Sequence, residues 1–186
     1  MDQDSKITSA AYIETYRKCL TEYQVAVLGP QFVYDRRKKK AVKENEYKRW
    51  IMLSGALLNL DVFEKLGGFD ERLFIDGIDV EYCLRVRKNG YRILQCCEAI
   101  LFHKPAETRK LKIGSIILLY GWHNEKRYYY QAMSRAYIMI TYHDYESFLK
   151  LIVKFLKILL LFDHKKTYFQ HYFRGIHDGC RLISNK

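Results

Sequence analysis

The sequence predicts an α/β domain followed by a helical extension. In residues 1–110, short apolar segments typical of strands alternate with helical patterns, and glycine-containing turns separate them. In residues 111–186 turn residues are few, and long segments with helical spacing follow one another. Hydrophobic residues make up 49% of the 186 positions, which is enough for a core. We therefore divide the chain between residues 110 and 111.

The first elements are a helix and two short strands. Apolar residues at helical spacing predict a helix over Ser5–Tyr23, with Ser5 as its N-cap. Gln24–Leu28 reads as a short buried strand that Gly29-Pro30 closes, and Gln31–Tyr34 reads as the next strand. The basic run that follows, Arg36–Lys40, is typical of a solvated loop.

Two further helices are predicted on either side of an acidic segment. The first spans Asp61–Leu66, with Asp61 as its cap, and Gly67-Gly68 ends it because glycine adopts positive φ readily. The second spans Asp79–Asn89, with apolar residues on one side and basic residues on the other. Two strands, Tyr91–Leu94 and Ala99–His103, follow it.

The extension is predicted to contain three long helices, at Glu125–Tyr142, Tyr145–Phe162 and Lys166–Leu182. In the second of these, Lys150, Lys154 and Lys157 fall within about 60° of one another around the helix axis. The apolar run is too short to span a bilayer. Two interpretations stay open: an interfacial helix with its lysines at the headgroups of an anionic membrane, or a packed helix whose lysines face water.

The charge of the chain favours an anionic partner. Lysine and arginine number 32 and aspartate and glutamate 21, for a formal net charge of +11. Nucleic acid, an acidic membrane and phosphorylated substrates all fit this balance. A nucleic-acid-binding module is the weaker interpretation, because the sequence has no helix-turn-helix, zinc-finger or aromatic RNA-binding motif. We therefore expect no nucleic acid among the partners.

The cysteine pattern predicts a reducing compartment. The chain has five cysteines, an odd number, and no pair is spaced as Cys-x-x-Cys. Neither a disulfide framework nor a zinc site is indicated. We expect reduced thiols and a cytoplasmic location, with peripheral attachment to the inner face of the plasma membrane if the lysine-bearing helix is interfacial.

Five acidic residues crowd into a short segment of this basic chain: Asp70, Glu71, Asp76, Asp79 and Glu81. Asp79 lies where the chain enters a helix, and a carboxylate there often serves only as a cap. An acid–base site also needs a carboxylate held at the end of a rigid element. Separately, His103 could join Asp2 and Asp4 around a hard divalent cation such as Mg²⁺ or Mn²⁺.

The segment Ser54–Ile93 resembles the acceptor side of inverting family 2 glycosyltransferases with the GT-A fold. It shows a small-residue turn, a helix ending in GGFDE, and an acidic motif that leads into a helix ending in arginine; a later strand finishes in histidine. Asp2-Gln3-Asp4 resembles the DxD metal motif as it occurs in bacterial rhamnosyltransferases. Arg127–Tyr130, followed by Arg135, resembles the region after the catalytic domain in that group.

The resemblance implies that Asp79 is the catalytic base, which takes the proton of the acceptor hydroxyl as that hydroxyl attacks the anomeric carbon. Glu81 matches the second acid of the motif and would orient the acceptor or the helix. The chain departs from the pattern at Ile78, where many members carry a further acid. Rhamnosyltransferase-like members often lack that acid, so the assignment of Asp79 stands.

The resemblance also implies a metal site and an acceptor surface. Asp2 and Asp4 match the site of the metal and pyrophosphate, and His103 matches a further metal ligand found in some members. The metal would be Mg²⁺ or Mn²⁺, which neutralises the leaving diphosphate. The residues implied to line the acceptor side are Ser54, Gly55, Gly68, Phe69, Asp70 and Glu71.

The implied reaction transfers a hexose such as rhamnose, with inversion, from dTDP-rhamnose or a UDP-sugar. The acceptor would be a polysaccharide such as O-antigen or a lipid-linked sugar. In the family a nucleotide-binding strand–helix–strand portion precedes the DxD motif, whereas here Asp2 follows Met1. We therefore expect a chain truncated just before that motif, with a distal GT-A part that binds donor weakly. The alternative is a non-catalytic remnant or partner subunit that keeps only the acceptor half.

Overall fold

A computed structural model of the chain describes residues 5–7, 12–34, 42–103, 108–113 and 116–184. The chain forms two compact units. The first consists of Met1–Phe69 and Asp79–Pro105, and the second of Asp70–Ile78 and Ala106–Lys186. The boundary expected between residues 110 and 111 therefore falls inside a strand of the second unit, and the acidic segment is divided between the units.

The described part of the first unit is a mixed sheet with helices. Its elements are β1 (Ser5–Ile7), α1 (Tyr12–Glu22), β2 (Val27–Tyr34), β3 (Glu46–Tyr47), β4 (Leu57–Leu58), α2 (Leu60–Lys65), α3 (Ile78–Lys88) and β5 (Ile93–His103). The strand order is β1-β5-β2-β4, and β3 also pairs with β5. The central pair, β2 and β5, is parallel, and the other pairs are antiparallel. The α/β class predicted from the sequence agrees with this sheet.

Helices α1 and α3 cover opposite faces of the sheet. Consecutive residues of a strand point to opposite faces. Leu28 and Leu94 join the buried cluster that contains Tyr16 of α1. Their chain neighbours Val27 and Ile93 join the cluster formed with α3. The two central strands are therefore buried on both faces, which explains their continuous apolar sequences.

Three predictions for the start of the chain are wrong. Ser5 is not a helix cap, because Ser5–Ile7 forms β1 and pairs with Leu101–His103 at the end of β5. The helix begins only at Tyr12. Gly29-Pro30 does not separate two strands but lies inside β2, where the pairing with β5 shifts in register after Pro30. Proline is tolerated there because β4 pairs only with Val27–Leu28, and no other strand among the described residues pairs with β2 on that side.

The ends of α2 and α3 agree largely with the sequence. The cap of α2 is Asn59 rather than Asp61, and the Asn59 side chain accepts a hydrogen bond from the Val62 amide. Gly67 and Gly68 follow α2 with φ of 81° and 71°, as predicted. The two strands predicted after α3 form one, β5.

Besides the segment Asp70–Ile78, the described part of the second unit is a β-hairpin followed by three helices. Its elements are β6 (Thr108–Ile113), β7 (Ile116–Gly121), α4 (Glu125–Tyr142), α5 (Tyr145–Leu161) and α6 (Lys165–Ser184). Strands β6 and β7 pair in antiparallel register from Thr108↔Gly121 to Ile113↔Ile116. The extension is therefore not helical throughout, but its three helices lie where the sequence predicted them.

Helices α4 and α6 approach each other closely because α6 carries glycine at two positions one turn apart. A Cβ atom on Gly175 would lie 2.3 Å from the Tyr129 carbonyl oxygen. A Cβ atom on Gly179 would lie equally close, 2.3 Å, to the Met133 carbonyl oxygen. Only glycine permits this backbone contact.

Two of the three lysines of α5, Lys154 and Lys157, make contacts with other elements of the second unit. Lys154 donates a hydrogen bond to the Gln131 side chain and lies over the Tyr128 ring, with its Nζ 5.0 Å from the ring centroid. Lys157 donates to the Gly121 carbonyl. The interpretation in which the lysines face water is therefore wrong for Lys154 and Lys157, and the interfacial interpretation stays a prediction. Within the described ranges, none of the helices has the length and apolar character needed to cross a bilayer.

Candidate functional site

The residues of the predicted acceptor side belong to different units of the structure. Asp70 and Glu71 lie in the second unit. The others, Ser54, Gly55, Gly68, Phe69, Asp79 and Glu81, lie in the first. Each group is therefore described within its own unit.

The Ser54-Gly55 turn is fixed by helix α1. The hydroxyl groups of Tyr12 and Tyr16 both donate to the Gly55 carbonyl oxygen, each over 2.9 Å. Gly55 has φ of 69°, and a Cβ atom there would lie 2.8 Å from the Tyr12 hydroxyl. Ser54 is buried beside it. The turn is thus rigid and has no room for a larger residue at Gly55.

Gly68 and Phe69 follow α2, and Phe69 packs against aromatic rings of α2 and α3. The Phe69 ring meets the Phe63 ring edge-on, with centroids 4.9 Å apart, and the Tyr82 ring at 5.3 Å. These contacts hold the ring in place, yet 41% of Phe69 is still exposed. An aromatic side chain that is both fixed and exposed is suited to pack against an apolar face of a ligand.

Asp79 is the second residue of α3 and lies in its first turn. It is partly buried. The first turn also contains Glu81, and the last turn is basic, so the charges of the helix complement its dipole. The position agrees with the predicted entry of Asp79 into a helix, and its role as a base stays a prediction.

Glu81 is buried and paired with an arginine of the same helix. Its two carboxylate oxygens accept hydrogen bonds from Arg85 over 3.0 and 2.9 Å. Arg85 also donates to the Leu66 carbonyl at the end of α2 over 2.6 Å. This chain of contacts joins α3 to the end of α2. Glu81 therefore helps to hold α3 in position. Its predicted contact with the acceptor stays a prediction.

Asp70 is held as a carboxylate within the second unit. Arg72 donates to both oxygens, over 2.8 and 2.7 Å, and the Tyr137 hydroxyl donates to one of them over 2.7 Å. Burial by itself would raise the pKa of Asp70, but the hydrogen bonds from Arg72 and Tyr137 outweigh it and lower the pKa to about 2. Glu71, next in the chain, is exposed.

Asp76 was noted in the acidic segment but not assigned to the site, and the structure gives it a special geometry. Its φ is 61°, a left-handed conformation that is strained for a residue with a side chain. Arg127 of α4 donates to its carboxylate over 3.0 Å. The next residue, Gly77, has φ of 87°, and a Cβ atom there would lie 2.6 Å from Ser134 Cβ. The partner is 51 residues away in the sequence, so no local pattern could have identified it.

The structure describes the predicted metal ligands only in small part. Asp2 and Asp4 lie outside the described residues, and of His103 only the backbone is described. Ser5, the residue after Asp4, pairs with His103 across the β1–β5 ladder. The described residues contain no cluster of three or more histidine, cysteine or acidic side chains that could hold a metal ion. The metal site stays a prediction.

Comparison with known proteins gives two distant relatives. The chain is 37% identical over 65 residues to the O-antigen biosynthesis protein RfbC of Myxococcus xanthus, covering 34% of this chain and 5% of that protein. It is 26% identical over 161 residues to the dTDP-rhamnosyl transferase RfbF of Shigella flexneri, covering 76% of this chain and 53% of that protein. No family model and no solved structure matches the chain.

These similarities agree with the family resemblance at a coarse level. The chain spans about half the length of the Shigella protein and a small part of the Myxococcus protein. Over 76% of its length this chain is thus distantly similar to a dTDP-rhamnosyl transferase, and over 34% to a protein of O-antigen biosynthesis.

Proposed function

We propose that this chain carries the acceptor site of a family 2, rhamnosyltransferase-like glycosyltransferase with the GT-A fold, and that Asp79 is its catalytic base. The observation that carries the proposal is the similarity to a dTDP-rhamnosyl transferase over 76% of the chain. The position of Asp79 in the first turn of α3 supports it, because the backbone of a helix end holds a carboxylate in a defined direction.

The proposed reaction is a single displacement. The acceptor hydroxyl attacks the anomeric carbon of the donor sugar while Asp79 takes its proton. A new glycosidic C–O bond forms as the C–O bond to the nucleotide diphosphate breaks, and the bonding pair leaves with the diphosphate. Attack from the face opposite the leaving group inverts the anomeric centre. The reaction needs one base and no carboxylate nucleophile.

The contacts that hold α3 rigidly in the first unit support the role of Asp79 as a base. The bidentate pair of Glu81 with Arg85 fixes the first turns of α3, and the bond from Arg85 to Leu66 ties that helix to the end of α2. A base works efficiently only when it is held in hydrogen-bonding reach of the proton that it removes. We assign Glu81 to the positioning of Asp79.

Asp2, Asp4 and His103 are the proposed ligands of Mg²⁺ or Mn²⁺. Pairing of Ser5 with His103 supports this set, because Asp4 directly precedes Ser5 in the chain. Two carboxylates and an imidazole suit these cations. When bound, the cation would neutralise charge on the departing diphosphate.

A gene deletion tests the proposed function in the organism of origin. We expect that loss of the gene removes a rhamnose-containing unit from the surface polysaccharide and that the natural gene restores it. Sugar analysis of the purified polysaccharide by mass spectrometry measures both. Unchanged composition and chain length after deletion would refute the proposal. Restoration by an Asp79→Asn gene would instead favour the non-catalytic alternative.

A further inference from the structure

Helix α5 is apolar on two sides, and one of them is exposed. Leu151, Ile158 and the following Phe162 are buried in the core of the second unit. The other apolar side runs along the whole helix and is exposed at Tyr145, Phe148, Leu149, Ile152, Val153, Leu156, Leu159 and Leu160. Leu160 is 71% exposed and Val153 61%. An apolar helix face of this extent is normally covered by another surface.

A cavity of about 370 Å³ opens beside this exposed side. Its lining comes from α4, from α5 and from the strained Asp76-Gly77 turn. Leu149 and Val153 belong both to the lining and to the exposed apolar side. The cavity and the apolar surface of α5 are therefore continuous within the second unit.

The cavity carries an excess of positive charge. Its basic lining residues are Arg135, Lys150, Lys154 and Lys157, against the acidic Asp76 and Glu146. The acids are already engaged, Asp76 by Arg127 and Glu146 by Lys150. The ammonium group of Lys154 has three N–H donors, and the Gln131 side chain accepts from one position only. The lining thus offers donors to an anion.

The electrostatics of Lys154 agree with this excess. Burial lowers the pKa of Lys154 to about 7; Asp76 opposes the shift, and the nearby cations Lys157, Arg135 and Arg127 reinforce it. Burial likewise lowers the pKa of Arg135. An anion that enters the cavity would offset the mutual repulsion of these cations and keep Lys154 charged at neutral pH.

We propose that the second unit binds an anionic phospholipid of a membrane surface, with the lipid phosphate in this cavity and the exposed side of α5 against the acyl boundary. Charge complementarity and continuity with an apolar surface select this occupant, because a free phosphate would use only the cavity. In this arrangement the lysine side chains that line the cavity meet the lipid phosphate, and the exposed leucines face the acyl chains. The inference concerns attachment and does not depend on the proposed transferase activity.

Vesicle flotation of the full chain tests the proposal. We expect the chain to float with vesicles of phosphatidylcholine plus phosphatidylglycerol and to remain unbound with phosphatidylcholine alone. The double variant Lys150→Gln, Lys157→Gln should bind about tenfold more weakly. Its matched control is Lys165→Gln, Lys166→Gln, which removes the same charge from exposed positions at the start of α6 and should lose less than about threefold.

Paired variants of the apolar surface give a second readout. Leu156→Gln with Leu160→Gln should weaken flotation, whereas Leu20→Gln with Leu60→Gln, at exposed leucines of the first unit, should leave it unchanged. Circular dichroism confirms that each variant is folded.

Four results would overturn the proposal. An equal loss in the two lysine variants would indicate non-specific charge attraction, and equal flotation with neutral vesicles would indicate apolar contact only. Binding of inorganic phosphate in calorimetry, together with no flotation, would indicate a free-phosphate site. A dimer in light scattering, together with no flotation, would assign the surface of α5 to self-association.

Discussion

Glu81 and Asp70 are acidic side chains that arginine partners hold in place. Glu81 is 2% exposed and shares both oxygens with Arg85, four residues later on the same helix. Such a buried pair needs near-ideal geometry to offset the desolvation of both ions. The bond from Arg85 to the Leu66 carbonyl adds a third contact. The value of the pair here is the fixed orientation of α3, the helix that carries Asp79.

The Asp70 carboxylate should make stability depend on pH. Its pKa in the folded chain is lowered to about 2, so its contribution is complete above the ordinary value of 3.8 and is lost as pH falls toward 2. We expect Asp70→Asn to lower the free energy of unfolding by about 2 kcal/mol near neutral pH and by nearly nothing near pH 2. Urea denaturation across this pH range measures the difference.

The control for this experiment is Asp163→Asn, at an exposed position after α5. It should change stability little at any pH. A constant difference between Asp70→Asn and the unaltered chain from neutral to acid pH would contradict the account, because it would show that the ionisation of Asp70 does not contribute.

At the scale of elements, the contact of α4 with α6 depends on glycine. Gly175 and Gly179 bring the α6 backbone onto the carbonyl groups of Tyr129 and Met133. We expect Gly175→Ala to destabilise the chain by about 1–3 kcal/mol, because the added methyl group forces the helices apart. This loss opposes the gain that alanine usually gives inside a helix.

Thermal unfolding followed by circular dichroism measures this effect. Gln170→Ala, at an exposed position of the same helix, is the control and should stay within about 0.5 kcal/mol of the unaltered chain. A Gly175→Ala variant that is as stable as the control, or more stable, would show that α4 and α6 are not in backbone contact.

For the whole molecule, the sequence predicted those elements whose signals are local. The bounds of α4 agree with its helical spacing, and α3 ends at Lys88, directly before Asn89-Gly90, where Gly90 has φ of 83°. The strand Ser5–Ile7 was missed because its apolar spacing is helical. Its pairing partner, Leu101–His103, lies near the other end of the first unit in the sequence, and that pairing decides the local structure. The continuation of β2 through Pro30 was missed for a similar reason. A proline can lie in a strand where its backbone nitrogen needs no partner, and only the pairing of β2 with β4 in the described residues shows where that is so.

The candidate site shows the same division between local and distant signals. Motif resemblance identified Asp79 and the GGFDE segment, and helical spacing predicted that Asp79 begins a helix. The fixing of Gly55 by Tyr12 and Tyr16 depends on residues about 40 positions away. The pairing of Asp76 with Arg127 and the contacts of Lys154 and Lys157 also depend on residues distant in the sequence. Periodicity alone gives which residues share a face, and packing decides which face is covered.

The most direct test of the central claim is rhamnose transfer by the Asp79→Asn variant. Extracts of cells that carry the natural gene are supplied with radiolabelled dTDP-rhamnose, and incorporation into polysaccharide is measured. The control is Asp61→Asn, which alters an exposed aspartate in the first turn of α2, also in the first unit. We predict that Asp79→Asn lowers incorporation by about 100-fold or more, while Asp61→Asn stays near the unaltered gene. Incorporation by a folded Asp79→Asn protein equal to that of the control would contradict the assignment of Asp79 as the base.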